Sequence, residues 1–315
     1  MIRASNKGEA HGGIYLVNPD EKRVNKVYDW NDQGIEWGGR GGDRGLRGIA
    51  IYKDHIYIAA SNEIFKFNRD FKIINSYKNQ YLYSCHEIFV KDQYLYITST
   101  HYDSIIVFDL ESEKFTNAHC MRKKPSIFNR FKKLKDYAPD GKKDLEFYSF
   151  DPNKKGGPMK ADIYHINSVY LKNKKIYFSG TLLNKLYEFD FKTLRVYSEI
   201  PYGTHNSYLY GDNICLNNTK DNSVIIQDTS GDILLSCPLI EYDRKELLHS
   251  DNKDNIARAG FGRGLCFFEN YIIGGSSPAT ISVYNKDTGK PVTSVNISMD
   301  IRNAIHGLAI WPWEI

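Results

Sequence analysis

Apolar and polar positions alternate over short stretches of this chain, and turn residues punctuate the alternation. Residues 45–68, GLRGIAIYKDHIYIAASNEIFKFN, read as three strands at 47–52, 55–60 and 63–68, with Asp54 and then Ser61-Asn62 between them. Period-two alternation turns successive side chains to opposite faces, and Asn, Asp and Ser close turns with their own side chains. The pattern returns. From the residue opening the first strand to the apolar pair of the second is nine residues at Arg47 to Ile56, His86 to Leu95, Asn167 to Ile176, His205 to Ile214 and Arg263 to Ile272. His306 opens one more copy, HGLAIWPW. Third strands end near an aromatic followed by Asn or Asp, as at Phe67-Asn68, Phe108-Asp109, Phe189-Asp190 and Tyr284-Asn285.

Unit openings lie 39, 81, 38, 58 and 43 residues apart. A period near 40 with four strands per unit is the signature of a β-propeller. The C-terminal copy supplies only a first strand. Residues 2–5, 13–18 and 24–30 can supply the second, third and fourth, so that N-terminal strands pair with the C-terminal one and the ring has no open edge. The expectation is an all-β chain forming a single domain over 1–315, a six-bladed β-propeller. The alternative is seven blades, with 145–151 opening a unit inside the 81-residue gap; residues of about 117–162 otherwise form an insertion. This repeat pattern resembles the six-bladed β-propeller superfamily that includes NHL-repeat, SMP-30/gluconolactonase-like and strictosidine-synthase-like proteins. The resemblance covers the whole chain and implies the fold; no NHL consensus and no gluconolactonase-type metal ligands stand at matching positions.

In a propeller the first strand of each blade lines the central channel. The residues opening those strands, Arg47, His86, Asn167, His205, Arg263 and His306, are therefore expected at one mouth. Alternation gives the residues two earlier the same facing, which adds His165, and turns Glu87 away from the channel. Consecutive blades contribute Arg47, His306 and Arg263 to one half of the mouth, and His86, Asn167 with His165, and His205 to the other. Arginine forks bind carboxylate or phosphate and stay charged, so Arg47, Arg263, Asn167 and Arg44 are candidate substrate-binding residues. His306, His86 and His205 are candidates for moving protons, with His306 held neutral between two arginines. His86, His165 and His205 are candidate ligands for a divalent transition metal such as Zn, Fe or Mn. Glycine-rich, arginine-bearing loops, 37–45 and 258–264, lead into Arg47 and Arg263 and fit an anion. The functional expectation is an enzyme acting on a small anionic molecule by acid/base or metal-assisted lyase, isomerase or hydrolase chemistry. The alternative is a non-catalytic ligand-binding or protein-interaction propeller.

Composition adds three points. Aromatics make up 14% of the chain, with 23 Tyr, which suits pleated surfaces. The net charge of +4 gives no reason to expect nucleic acid, yet residues 121–160 alone carry 12 Lys/Arg against 5 Asp/Glu. That basic insertion is a candidate lid over the mouth or a docking patch for a protein partner. Five cysteines without C-x-x-C spacing, no apolar run near the ~20 residues that span a bilayer, and no apolar core in MIRASNKGEAHGG lead to an expected cytoplasmic protein with reduced thiols.

Overall fold

A computed structural model describes residues 2, 10–31, 45–124, 145–251 and 258–314. The described residues are an all-β propeller, 54% strand and 2% helix. Four blades are four-stranded antiparallel sheets. They are β3–β6 (Leu46–Tyr52, His55–Ala60, Glu63–Phe67, Ile73–Lys78), β12–β15 (Ile166–Lys172, Lys175–Gly180, Lys185–Phe189, Leu194–Glu199), β16–β19 (His205–Tyr210, Asn213–Asn218, Ser223–Gln227, Ile233–Pro238) and β20–β23 (Leu265–Phe268, Tyr271–Ser276, Thr280–Asn285, Pro291–Asn296). The second blade in chain order has five strands, β7–β11 (Cys85–Lys91, Tyr94–Ser99, Ser104–Asp109, Lys114–Lys123, Leu145–Phe150). A two-stranded sheet, β1 (Gly13–Asn18) with β2 (Arg23–Asp29), stands apart.

The expected ring is thus found in part: five blades, not six or seven. Residues 145–151 do not open a seventh unit. β11 pairs with β10 from Lys123↔Leu145 to Ala118↔Phe150 and extends that blade outward. The basic run between these strands lies outside the described residues. Of the expected closing blade, residues 3–5 lie outside the described residues. Ile2 makes a single antiparallel bridge to Asn303, and His306 lies in a stretch without a ladder to any described strand.

The aromatic–Asn/Asp signature has a local cause. The side chains of Asn68, Asp109, Asp190 and Asn285 each accept backbone N–H groups two to four residues on, which closes the hairpin from third to fourth strand. Asp228 does the same in the β18–β19 hairpin, and Asn18 does it between β1 and β2. β1 and β2 thus share the turn chemistry of the third-to-fourth-strand hairpins.

Both faces of each blade are covered, so packing runs around the ring. One cluster joins Tyr57, Ala59 and Ile64 to Cys85, Ile97 and Phe108; another joins Ile105, Val107 and Phe147 to Ile166, Val169 and Phe178. Similar clusters join the later blades. In the first blade, Ile56, Ile58 and Phe67 pack against Ile14, Trp30, Trp311 and Trp313. Burying one such side chain contributes about 2 kcal/mol, and each interface holds several. Fourth strands form the exposed rim: β6 has five of its six residues exposed, and β19 is similar. None of the five cysteines is in a disulfide, and no described helix is long and apolar enough to cross a membrane.

Candidate functional site

The inner strands do not alternate simply where they begin. The ladder to the second strand slips between Leu46 and Ile49, between Cys85 and Ile88, between Ile166 and Ser168, and between His205 and Ser207. In the last blade Gly264, with φ of 72°, takes the same place. A bulge sets two residues against one and re-aims their side chains. Glu87 consequently does not turn away from the channel, as alternation alone would have it. Its Oε2 accepts the Tyr208 hydroxyl at 3.1 Å from β16, two blades away.

Arg47, His86, Asn167, His205, Arg263 and His306 are all buried, at 1–8% exposure. The ring of His86 lies 5.3 Å from that of His165, 6.3 Å from His205 and 5.3 Å from His306, centroid to centroid. Phe261 bridges the next pair, 5.3 Å from His205 and 4.5 Å from the Arg263 guanidinium. The six expected residues and His165 therefore do gather around one axis. Arg44 lies outside the described residues, as does most of the 37–45 loop.

His86 Nδ1 sits among a carbonyl, a hydroxyl and a guanidinium, which compete for its role as donor or acceptor. Thr100 donates its hydroxyl to Ile166 O at 2.8 Å, which leaves its oxygen to accept from His86 Nδ1, also at 2.8 Å. Ser84 O accepts from the same nitrogen at 2.8 Å. With the proton on Nδ1, Nε2 accepts from Arg47 Nη1 at 3.2 Å; with it on Nε2, Nδ1 accepts from the same nitrogen at 2.9 Å. Arg47 Nη1 also donates to Ser84 O and Cys85 O, at 3.2 Å each. Burial, Arg47 and the neighbouring histidines together hold His86 well below the usual imidazole value. Burial, Arg263, Arg47 and His205 do the same to His306. Both rings are neutral near pH 7. Among the described residues neither nitrogen of His306 has a hydrogen-bond partner, though the residue is 5% exposed. Buried polar groups are nearly always bonded, so an orphaned imidazole on the axis marks a place for a ligand or water.

A second set of groups caps the mouth. His165 Nδ1 donates to Asp162 at 2.8 Å, and His101 Nε2 lies 3.9 Å from the same carboxylate. These three side chains are 26–34% exposed, unlike the ring beneath them. Burial raises Asp162, but the bond and charge of His165, with His101, outweigh it and the carboxyl is lowered. Asp103 holds this segment in place by accepting the backbone N–H of Ile163, Tyr164 and His165 at 2.7–3.0 Å. Burial pushes its carboxyl up to about 6 in spite of those bonds. Burial pushes Glu87 up to about 7 in spite of hydrogen bonds from Asn206 and Tyr208, which favour the charged form.

Sequence reasoning missed Glu87, Asp103 and Asp162. The bulge hides Glu87, whereas Asp162 stands three residues before His165 and could have been read as its partner. The proposed metal set fares differently. Among the described residues no three His, Cys, Asp or Glu are placed to hold one ion. The Nδ1 atoms of His86, His165 and His205 already face Ser84 O, Asp162 and Asn167.

No protein-family model and no curated protein matches this sequence. Among solved structures, the computationally designed Ika8 protein has a TM-score of 0.51 at 12% identity, over 98% of this chain and 91% of its own. A catalytically inactive virginiamycin B lyase from Staphylococcus aureus, with quinupristin, has a TM-score of 0.48 at 13% identity over 81% of this chain and 71% of that one. The selenomethionine-substituted virginiamycin B lyase from that organism has 0.43 at 13%, over 77% and 70%. Likeness at such identity concerns the fold alone, and what it and the strand order establish is that this chain is a β-propeller.

Proposed function

We propose that the ring has six members, the sixth built from β1, β2 and the stretch 305–311, and that its mouth is an enzyme site for a small anionic molecule. Close backbone approaches support six positions. A Cβ on Gly264 would stand 3.3 Å from His306 O, one on Gly307 would stand 2.3 Å from Arg47 O, and one on Gly48 would stand 2.4 Å from His86 O. The C-terminal stretch thus sits between the last blade and the first.

His306 carries the functional reading: it is buried, neutral and without a hydrogen bond, and both Arg263 and Arg47 act on it electrostatically. A carboxylate or phosphate entering the mouth would meet the arginine charges and give the orphaned imidazole a partner. The His165–Asp162 pair supplies the acid/base element. Asp162 holds the Nδ1 proton, so Nε2 presents a lone pair. Glu87, with a carboxyl near neutrality, is placed to exchange protons from the opposite side. Lyase, isomerase or hydrolase chemistry uses such groups. A binding role without turnover draws on a different observation: Arg47 already donates to two carbonyls and an imidazole, as a structural arginine would.

Calorimetric titration with inorganic phosphate and a panel of small mono- and dicarboxylates tests the reading. Binding that weakens at least tenfold in Arg263→Ala and in His306→Ala, with folding retained, is the expected result. If no anion in the panel binds, or both variants bind as the parent does, the mouth is not an anion site. Turnover of a bound carboxylate separates enzyme from binder: His165→Ala abolishes it while leaving the dissociation constant nearly unchanged.

A further inference from the structure

Three residues on from their openers, the inner strands change character. Ladder registers put Ala50, Phe89, Tyr170, Tyr208 and Cys266 at one level of the five described blades. A strand rises about 3.3 Å per residue, so this level lies about 10 Å along the strands from the His/Arg mouth. On β7, β12 and β16 every residue before it is buried, and Phe89, Tyr170 and Tyr208 are the first to be half-buried. Cys266 is half-buried as well, one residue after buried Leu265. Solvent therefore reaches the inner strands a second time, from the end of the channel away from the mouth.

The walls of this well are uneven. Phe89 and Tyr170 have ring centroids 4.8 Å apart, and Tyr170 and Tyr208 5.5 Å. The rings are tilted by 56° and 50°, so they curve around the channel rather than stack. Ala50 and Cys266, at the same level, are small and leave room opposite them. Glu87, two residues before Phe89, closes the inner end: it is 6% exposed, and it accepts the Tyr208 hydroxyl at 3.1 Å from across the channel. Among the described residues the groups acting on its carboxyl are the neutral Asn206 amide and Tyr208 hydroxyl, with no charged side chain beside them. Buried carboxylates are ordinarily paired with a cation, because a lone charge out of water is costly. Burial instead keeps a proton on Glu87 up to about 7, which marks the place of the missing positive charge.

We infer that this well is a second binding site, for an alkylammonium group whose charge meets the Glu87 carboxylate and whose carbon-bound hydrogens lie against Phe89, Tyr170 and Tyr208. Aromatic faces attract such cations, and do so more strongly where water is excluded. A metal ion fits the well less: it needs several oxygen ligands, the rings offer none, and no three His, Cys, Asp or Glu among the described residues are placed to hold one. The inference rests neither on a sixth member of the ring nor on the anion site.

Calorimetric titration with tetramethylammonium and butylammonium chlorides, against potassium chloride at equal ionic strength, tests it together with proton NOE spectra of the parent protein and tetramethylammonium. Expected are saturable binding of the ammonium ions but not of potassium, and NOEs from the N-methyl protons to the rings of Phe89, Tyr170 and Tyr208. Affinity should fall at least tenfold in Glu87→Gln, which keeps the Tyr208 contact, and in Tyr170→Leu, which keeps an apolar wall. No binding of either ammonium ion overturns the site. Potassium bound as tightly as the ammonium ions overturns the role of the rings and makes the ligand an alkali metal ion. NOEs confined to other residues, or unchanged affinity in both folded variants, place any binding elsewhere and overturn the address; the spectra of the parent decide this even where a variant does not fold. None of these readouts involves phosphate or a carboxylate, so failure of the anion site leaves them unchanged.

Discussion

Glu87 and His306 are both buried at the axis, and they respond to pH in opposite senses. The Glu87 carboxyl is raised from 4.5 to about 7 by burial, so the folded protein binds a proton that the unfolded chain has lost across that window. Stability from this group is complete below 4.5 and is lost as pH rises to about 7. Glu87→Gln, which keeps the Tyr208 contact without the charge, should therefore gain melting temperature on the parent as pH rises through this range and gain no more above it. Parallel melting curves for the two proteins from pH 4.5 to 8 would mean that Glu87 is ionised in the fold. His306 runs the other way. Its folded value lies well below 6.5, so stability is complete above that value and falls as pH drops beneath it, where the unfolded chain takes up the proton. His306→Gln should remove part of the acid-side loss. Residue identity at the ring was legible in the sequence because the nine-residue step finds strand starts. Facing was not, because a one-residue bulge reverses it and leaves no mark in the pattern of apolar positions.

At the scale of elements, neighbouring inner strands touch through their backbones. A Cβ on Gly48 would stand 2.4 Å from His86 O and 2.7 Å from Ile88 N, atoms that cannot swing aside. Gly180, at the end of β13, is as tight within its own blade, against Tyr164 O and His165 O at 2.4 and 2.6 Å. Gly48→Ala should cost about 2 kcal/mol or more, read as a lower urea midpoint at unchanged slope. A midpoint within error of the parent would show that β3 and β7 can part without loss. The strand count per unit was also legible, since alternation and Asx turns are local. The β10–β11 pairing was not. β11 joins its blade across a connection of more than 20 residues, and nothing near residues 145–150 states which edge they will meet.

Over the whole molecule, closure depends on how the two chain ends pack. Trp311 stacks on Phe71 with ring centroids 5.1 Å apart, and the Arg69 guanidinium lies 4.8 Å from the Trp313 ring. These contacts hold the C-terminal stretch to the first blade, where backbone pairing does not. Trp311→Ala should cost about 2 kcal/mol, less than a fully buried tryptophan, and should raise amide exchange along 305–311 before any other blade opens. Uniform loss of protection around the ring would show that closure and global unfolding are one event.

Taken alone, the amino-acid sequence determined the all-β class, the unit of repetition, the hairpin turns and which residues open the inner strands. Each of these follows from neighbours a few positions apart: alternation, side chains that close turns, and a fixed step between strands. Tertiary structure decided how many complete blades form among the described residues, that the 145–150 segment is an edge strand, that Glu87 reaches Tyr208 two blades away, and that Asp162 and Asp103 serve His165. These depend on contacts between residues tens to hundreds of positions apart, where packing between blades selects among arrangements that the local pattern leaves equivalent.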